Sequence, residues 1–427
     1  MRIVLIFCFS VILRAGEETW IDQYIDEAGA MNKACAAKDY KPCREHLLAL
    51  EKLLDGRVDI VYRLAKVEAN LGNRDAALAR LTVFAKSGLT FADPAAEPAF
   101  ESLKGDAGFQ GLIAKTKSAR EPISRCKLFV TLSQADLIAE DIAYDALSGT
   151  FYVSGVRHSK IISIDRNGAT ADFVREGQPN VWSILALGVD SKLRVLWAAT
   201  AALPESVAYR KADEGRSALL KYSLDNGELL KRYDLAKDRK HALGDMTLSA
   251  AGDVFVSDGE SGAIYWVDHR KDELQVLIDR GVFHSPQTPA LSSDGRVLLI
   301  PDYSRGISRV DLSTKQVHLL EHPQELSLGG IDGMYLAGRT LVAIQNGTVP
   351  ERIIRMKLDE SLERVIDWET LEANWIGLGD PTHGVFVGDD FYFIANSGWD
   401  RMADDGGLKP GAKFEPATIR HLQLDAR

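Results

Sequence analysis

The pattern of hydrophobic and polar residues changes from helical to strand-like near residue 119. Beyond that point one unit repeats: a short apolar segment, a turn rich in Gly and Asp, and a second apolar segment that ends in small polar residues. Ala251-Gly252-Asp253, Ser293-Asp294-Gly295 and Gly388-Asp389-Asp390 are three of these turns. Apolar segments joined by such turns are typical of β-hairpins. The unit occurs six times, and its weakest copy begins near Trp182.

The spacing of the repeats predicts the fold. Successive copies begin about 42 to 62 residues apart, which is typical of the blades of a β-propeller, and six copies predict six blades. The last copy lacks one strand, whereas residues 126–132 form an extra strand ahead of the first copy. We therefore predict that residues 126–132 complete the last blade, because this closure removes an exposed sheet edge. In a propeller the inner strands all begin around one channel, so the repeat also predicts where a site lies.

Residues 17–118 show a different period. Apolar residues recur about every 3.6 positions, as in amphipathic helices, and Gly72 can end one helix in the left-handed conformation. The hairpin around Gly72, and a weaker copy around residues 38–43, resemble tetratricopeptide repeats. This resemblance implies a groove for a protein or peptide partner. A plain helical cap is the alternative, since two repeats form little concave surface. We predict a small tetratricopeptide-like helical domain (17–118) followed by a six-bladed β-propeller (119–427).

The first sixteen residues predict export. Arg2 is followed by an apolar run from Ile3 to Leu13 and then by Arg14-Ala15-Gly16. A basic start, a short apolar run and small residues are typical of a secretory signal peptide, so residues 1–16 are assigned to one. We therefore expect a periplasmic or secreted protein. The run is too short to span a bilayer, which predicts no stable membrane insertion, and an uncleaved anchor is the alternative.

Composition and cysteine content narrow the function classes. The chain has 427 residues, of which 46% are hydrophobic and 26% charged, enough for two water-soluble domains. A net charge of −10 without any basic run excludes a nucleic-acid partner.

Cys35 and Cys43 flank a predicted turn between helices and can form a disulfide in an oxidising compartment, which leaves Cys126 free. Three buried thiols are the alternative. No Cys/His cluster indicates zinc.

Residues 126–427 resemble the gluconolactonase/regucalcin-like propellers and, more loosely, the NHL-type propellers. The stretches Glu140–Ala143, Ser293–Arg296 and Ile331–Met334 carry this resemblance. Lactonase-type members hold a divalent cation in the channel. Their ligands are a Glu at the start of the first blade, Asn residues in middle blades and an Asp before Gly in a later blade.

The resemblance implies cation ligands at positions of this chain. Glu140 matches the first of them, and Asp332, followed by Gly333, matches the last. Gln287 stands where an Asn is expected, and Asp245 lies next to another such position, which is occupied by Gly. A catalytic role for Asp332, as ligand or general base, follows from the same match.

These residues also have an interpretation of their own. Glu140, Asp245, Gln287 and Asp332 are predicted to point at the axis, with His383 from the sixth blade. Carboxylates that share a narrow channel repel each other unless a cation or protons offset them. Oxygen ligands suit Ca²⁺ or Mg²⁺, and such a cation can lower the pKa of a water molecule. The alternative is that the acidic residues cap strands and turns by hydrogen bonding to the backbone.

Two further residues are assigned to the channel as ligand contacts, Trp182 and His383. Packing between blades is the alternative for Trp182, and simple hydrogen bonding is the alternative for His383.

Two functions then compete. One is an exported binding protein whose channel holds a small ligand or a divalent cation and whose helices contact a partner. The other is a metal-dependent lactonase or esterase. The middle-blade departures and the absence of a nucleophile-elbow motif favour the binding protein.

Overall fold

The computed structural model describes residues 18–424, so the predicted signal peptide lies outside the described residues. Within this range, no helix has the length and apolar composition needed to cross a membrane. In residues 18–424 the N-terminal part is helical and is followed by 24 strands. Its helices are α1 (Trp20–Ala36), α2 (Tyr40–Leu53), α3 (Val58–Asn70), α4 (Arg74–Lys86) and α5 (Ala107–Ser118), with a 3₁₀ helix at Pro98–Leu103.

The helical region is built from consecutive helices that pack on their neighbours. Thr19 begins α1 with a capping box, in which its hydroxyl accepts from the Asp22 amide while the Asp22 carboxylate accepts from the Thr19 amide. A disulfide joins Cys35 at the end of α1 to Cys43 at the start of α2, and Cys126 remains a free thiol. The structure therefore contains the disulfide rather than three buried thiols. Two buried clusters form the core of this region, and both contain helical-region residues only.

The propeller has six four-stranded antiparallel sheets. The first strand of the chain is β1 (Lys127–Thr131). The first three blades are β2 (Ala139–Asp145), β3 (Thr150–Gly155), β4 (Lys160–Ile164) and β5 (Thr170–Val174); β6 (Ser183–Asp190), β7 (Val195–Ala201), β8 (Ser217–Ser223) and β9 (Leu229–Asp234); and β10 (Leu243–Leu248), β11 (Val254–Asp258), β12 (Ile264–Asp268) and β13 (Glu273–Ile278).

The remaining blades follow the same order. They are β14 (Ala290–Leu291), β15 (Val297–Asp302), β16 (Gly306–Asp311) and β17 (Val317–Leu319); β18 (Ile331–Ala337), β19 (Thr340–Gln345), β20 (Arg352–Leu358) and β21 (Val365–Ala373); and β22 (Gly384–Val387), β23 (Asp390–Ile394) and β24 (Thr418–Gln423) together with β1. The inner strands β2, β6, β10, β14, β18 and β22 contact one another in a closed ring. The predicted architecture, a helical region followed by six blades, is confirmed.

The core of the propeller is divided into six apolar layers, one between each pair of adjacent blades. The third blade shows how one strand serves two layers. Val254 and Val256 face the second blade, whereas Phe255 between them faces the fourth. Successive side chains on a strand point to opposite faces, so a blade buried on both sides needs a continuous apolar run. This requirement explains the apolar second segment of every repeat.

The ring is closed by the strand that precedes the first repeat, as predicted. β1 pairs antiparallel with β24, with Lys127 opposite His421 and Thr131 opposite Thr418. The sixth blade thereby gains its fourth strand from the opposite end of the propeller sequence, and the edge of β24 is covered. Closure by a strand from a distant part of the chain ties the ends of the ring together.

We expect two truncations to behave differently. Deleting residues 17–118 removes clusters that contain no propeller residue, so the propeller should still unfold in one cooperative transition. Deleting through Leu132 also removes β1 and exposes β24, which should cause aggregation and loss of the cooperative transition. Size-exclusion chromatography and thermal melts followed by circular dichroism would compare the two. Equal solubility and cooperativity would contradict the role given to β1.

Candidate functional site

The site lies where the inner strands begin. In four blades the pairing register shifts at this point, between Ala139 and Ile142 on β2, between Ile184 and Leu187 on β6, at Asp245 on β10 and between Ile331 and Met334 on β18. Such irregularities redirect a side chain from the face of a sheet. Three of them occur beside Glu140, Asp245 and Asp332, so these acidic residues leave the apolar layers and gather near the axis.

An axial pocket of about 300 Å³ opens at this end of the channel. Its walls consist of carboxylate, amide, hydroxyl and aromatic groups. The lining residues are Glu140, Ser285, Gln287, Tyr303, Asp332, Asn346, Asp380, Thr382 and Trp399. Three of the four residues predicted as cation ligands therefore line one pocket, and the fourth, Asp245, lies beneath it.

Glu140 and Asp332 face each other across the pocket. Ligand atoms of these two carboxylates and of His383 lie within 4.8 Å of one another. Trp399 donates its indole N–H to Oε2 of Glu140, and Asn346 donates its amide to Oδ2 of Asp332 at 2.6 Å. Among the described residues these hydrogen bonds use one oxygen of each carboxylate. The other oxygens are the natural contacts for a bound ligand.

Burial makes both carboxyl groups unusually weak acids. Burial is the largest cause that raises the pKa of Asp332, to about 7, and the nearby Asp245 carboxylate raises it further. Burial also raises the pKa of Glu140 well above its usual range, with Asp332 and Asp245 adding to the effect. In both cases the positive charge of His383 acts in the opposite direction. Like charges that lie close together in a partly enclosed pocket favour the protonated acids.

His383 lies under the pocket and is hydrogen-bonded at both ring nitrogens. Nδ1 donates to the backbone carbonyl of Glu140 at 2.9 Å, and Nε2 lies 2.6 Å from Oδ1 of Asp245. The hydroxyl of Thr288 donates to the same Asp245 oxygen at 2.7 Å. Because both ring nitrogens face acceptors, the ring carries two protons. Burial by itself lowers the pKa of His383, but Asp141, Asp332 and Asp245 outweigh it and hold the pKa well above the usual value.

His383 therefore serves as a buried counter-charge, and its hydrogen bonds leave no lone pair for a metal. Asp245 is 5% exposed and His383 is 2% exposed, which places this pair below the floor of the pocket. Asp245 was predicted as a direct ligand, and the structure instead gives its Oδ1 to His383 and Thr288. Gln287 lines the pocket, where its amide donates to the Ser285 hydroxyl at 3.0 Å.

Asp141, next to Glu140, has a separate role. Adjacent residues on a strand point in opposite directions, and the Asp141 carboxylate turns away from the pocket. It accepts hydrogen bonds from the amides of Leu187 at 2.6 Å and Ile142 at 2.7 Å, which ties the first blade to the second. Burial raises the pKa of Asp141 to about 6.

Trp182 does not line the axial pocket. It lies in the layer between the first two blades and borders a separate cavity of about 570 Å³ that the 203–217 loop helps to form. Arg216 and Arg232 lie over its ring at 4.8 and 4.9 Å. Cations that cover the ring in this way leave little of it to stack on a ligand. The structure thus places Trp182 in interblade packing, the alternative considered for it.

Sequence reasoning missed several residues of the pocket. Some of them lie in a sequence pattern that could have identified them, and others do not. Tyr303 and Asn346 follow directly after the second strands β15 and β19, in the small polar ends of the repeat. Aligning the repeats at that position could have found them. Trp399 lies in the long loop between β23 and β24, which has no periodic pattern. Nothing in its sequence context indicates that its indole reaches Glu140.

Comparison with known proteins gives matches to solved structures at low sequence identity. No protein-family model and no curated protein matches the chain. A virginiamycin B lyase from Staphylococcus aureus is 14% identical over 70% of this chain and 100% of its own, with a TM-score of 0.48. A gluconolactonase from Xanthomonas campestris is 12% identical over 72% of this chain and 92% of its own, also with a TM-score of 0.48. The six-bladed architecture that the resemblance implied is seen in the sheets of the structure itself. These matches carry no argument about the chemistry of the chain.

We expect the raised pKa of Asp332 to appear in the pH dependence of stability. A raised carboxyl pKa stabilises the fold fully below the unfolded pKa, and this contribution is lost as the pH rises through the folded pKa. With chelator present, Asp332→Asn should therefore gain stability relative to the wild type between about pH 4 and pH 7, on the order of 2 to 4 kcal/mol. Urea unfolding at several pH values measures the difference.

Asp294→Asn is the matched control for this experiment. Asp294 lies in a hairpin turn, where the Ser292 hydroxyl and the Arg296 amide lower its pKa. Replacing Asp294 by Asn should give no gain in the free energy of unfolding, relative to the wild type, as the pH rises. The free energies of unfolding of the wild type and Asp332→Asn are then compared. If their difference does not change between about pH 4 and pH 7, Asp332 is already ionised in the fold at acidic pH.

Proposed function

We propose that the axial pocket binds a divalent cation of the Ca²⁺ or Mg²⁺ class through Glu140 and Asp332, and with it a small polar ligand. The observation that carries this proposal is the pair of carboxylates whose ligand atoms lie within 4.8 Å of each other in a pocket lined by oxygen-bearing groups. A binding protein built on this site is the function that the geometry supports best.

The charge balance of the site supports a cation. Glu140, Asp141, Asp245 and Asp332 interact electrostatically with His383 or with one another. One imidazolium cannot offset four carboxylates, and buried like charges are costly unless they are neutralised. A bound divalent cation supplies the missing positive charge without requiring protons on Glu140 and Asp332.

The donor set fits a hard cation. Carboxylate oxygens and the amides of Gln287 and Asn346 are the kind of ligand that Ca²⁺ and Mg²⁺ prefer. Zinc favours Cys or neutral His ligands, and both nitrogens of His383 are already hydrogen-bonded. The residues that would hold the cation are therefore Glu140 and Asp332, with the two amides beside them.

The rest of the pocket supports a small polar ligand. Ser285, Tyr303 and Thr382 bring hydroxyl groups to the walls, and Trp399 adds an indole whose N–H is already bonded to Glu140. A few polar groups that converge on a small cavity orient a ligand by hydrogen bonding, while an aromatic wall supplies contact area. A molecule with hydroxyl or carbonyl groups meets both requirements.

A metal-dependent lactonase or esterase is the second candidate, and the position of Asp332 favours it. A general base must lie within hydrogen-bond reach of the water that it deprotonates, and Asp332 lines the pocket with one carboxylate oxygen that Asn346 does not contact. A cation bound there supplies polarisation of a carbonyl and a more acidic water. Asn346 would hold the Asp332 carboxylate in place, and Trp399 would hold that of Glu140. Asp332 would then take the proton from an attacking water.

We also propose that the protein works in an oxidising compartment, outside the cytoplasm. The disulfide between Cys35 and Cys43 supports this, because such bonds persist in exported proteins and are rare in the cytosol. Contact of the helical region with a protein or peptide partner stays a prediction from the tetratricopeptide resemblance.

Metal analysis tests the cation site directly. We expect purified protein to bind about one Ca²⁺ or Mg²⁺ per chain, and chelation should lower its melting temperature by about 3 to 6 °C because the cation binds only the folded state. Glu140→Gln should abolish both effects. Asp294→Asn, in a turn of the fourth blade, should leave them unchanged. A wild-type protein without bound cation, whose melt is insensitive to chelator, would contradict the proposal.

Turnover on a panel of aliphatic lactones and esters separates the two candidates. If Asp332 acts as a general base, Asp332→Asn should lower kcat by about a hundredfold or more, the usual scale for a lost base. Asp294→Asn should retain activity. A wild type without turnover in the presence of Ca²⁺, Mg²⁺ or Mn²⁺ leaves the binding protein as the function. Full activity of Asp332→Asn would place the chemistry on other residues.

A further inference from the structure

The helical region lies against the same end of the propeller at which the axial pocket opens. It contacts several loops there, among them the 320–330 loop, where Asp55 lies 3.2 Å from His322. Three of the contacted loops line the pocket: loop A (279–289), loop B (303–305) and loop C (346–351). Each loop also supplies part of the pocket wall: Ser285 and Gln287 come from loop A, Tyr303 from loop B and Asn346 from loop C. One side of the pocket is thus built from loops that the helical region touches from behind.

Loops A and B are held by α1 and by the segment before α3. The indole of Trp20 donates to the carbonyl of Val282 at 2.9 Å, and its ring lies 4.5 Å from the guanidinium of Arg305. Arg57 donates from Nη1 to the carbonyl of Ser304 at 3.0 Å. Val282 and Ser304 are backbone acceptors close to the pocket residues Ser285 and Tyr303 in sequence. These bonds therefore fix the path of the backbone rather than a single side chain.

Loop C is held by the segment after α4. The amide of Thr90 donates to the carbonyl of Val349 at 2.6 Å. Arg352, which follows loop C, is 1% exposed and donates to the carbonyl of Ser87 at 2.7 Å and to the amide oxygen of Gln345 at 2.7 Å. A buried guanidinium is costly unless hydrogen bonds compensate it. Arg352 thus links the helical region to the residue directly before loop C.

The three loops are linked to one another and to the candidate cation ligand. The amide of Tyr303 donates to the carbonyl of Ser285 at 2.9 Å. The hydroxyl of Tyr303 donates to Asn346 at 3.0 Å, and Asn346 donates to Asp332 at 2.6 Å. A hydrogen-bonded path therefore runs from Arg57 through loop B and Asn346 to the carboxylate of Asp332. A shift of loop B would move the side chain that orients this carboxylate.

We propose that the helical region is a positioning element of the axial pocket, and that Arg57 is its positioning residue for loop B. Docking of the helices holds loops A, B and C in the arrangement that receives a ligand. By thermodynamic reciprocity, a ligand that needs this arrangement also strengthens the docking. The inference rests on the proposed function where it concerns cation affinity, and on the contacts alone where it concerns the loops.

The test compares Arg57→Ala with a matched variant in the full-length protein. Arg80→Ala removes a comparably buried ion pair, Arg80 with Glu51, that lies inside the helical region. Hydrogen exchange of peptides covering loops A and B is measured without cation. Calcium affinity is measured by titration calorimetry. We expect Arg57→Ala to exchange about fivefold faster or more in loop B and to bind Ca²⁺ about 5- to 50-fold more weakly, whereas Arg80→Ala matches the wild type. Arg57→Lys should restore part of both losses.

Saturating Ca²⁺ should also slow the exchange of the segment around Arg57 in the wild type, which a purely structural contact would not do. The proposal fails if Arg57→Ala matches Arg80→Ala in exchange, or if loop B loosens while the Ca²⁺ affinity stays unchanged. If the wild type binds no Ca²⁺, the cation site of the proposed function fails, and the exchange of loop B then decides the positioning role by itself.

Discussion

The two hydrogen bonds of His383 connect three blades across the channel. The residue comes from the segment before β22, bonds to the backbone of Glu140 on β2, and contacts Asp245 on β10 at 2.6 Å. Because both ring nitrogens face acceptors, the ring is held as a cation among carboxylates. This positive charge lowers the pKa of both Glu140 and Asp332 and thus favours their ionisation against the effect of burial, which influences what the pocket can bind. The polar geometry of the site depends on that interaction.

The rest of the propeller separates apolar packing from this polar axis. Six apolar layers between the blades stabilise the ring, and β1 closes it, so the energetic cost of gathering acidic residues at the axis is offset elsewhere. Shifts of the pairing register at the start of the inner strands mark the boundary between the apolar layers and the polar axis. A rigid ring can therefore hold like charges close together, which a flexible loop could not.

The helical region adds a second constraint at the mouth of the channel. Loops are usually the least rigid parts of a propeller, and loops A, B and C form one wall of the pocket. Trp20, Arg57 and Arg352 mediate contacts between the helices and these loops. The other side is covered by the loop that carries Trp399. The pocket is thus built between two covering elements on one rigid base.

The sequence by itself determined the number of blades, the closing strand and the helical front, because these follow from periodic patterns. The resemblance to lactonase-type propellers singled out Glu140, Gln287 and Asp332, which line the axial pocket. The sequence left the state of Cys35 and Cys43 open. Only the tertiary structure decided that His383 and Asp245 pair below the pocket, that Trp182 packs between blades, and that Asn346 and Trp399 hold the carboxylates. Those contacts join residues far apart in the chain, and their geometry depends on how loops cross the end of the ring. Local patterns carry no information about such crossings.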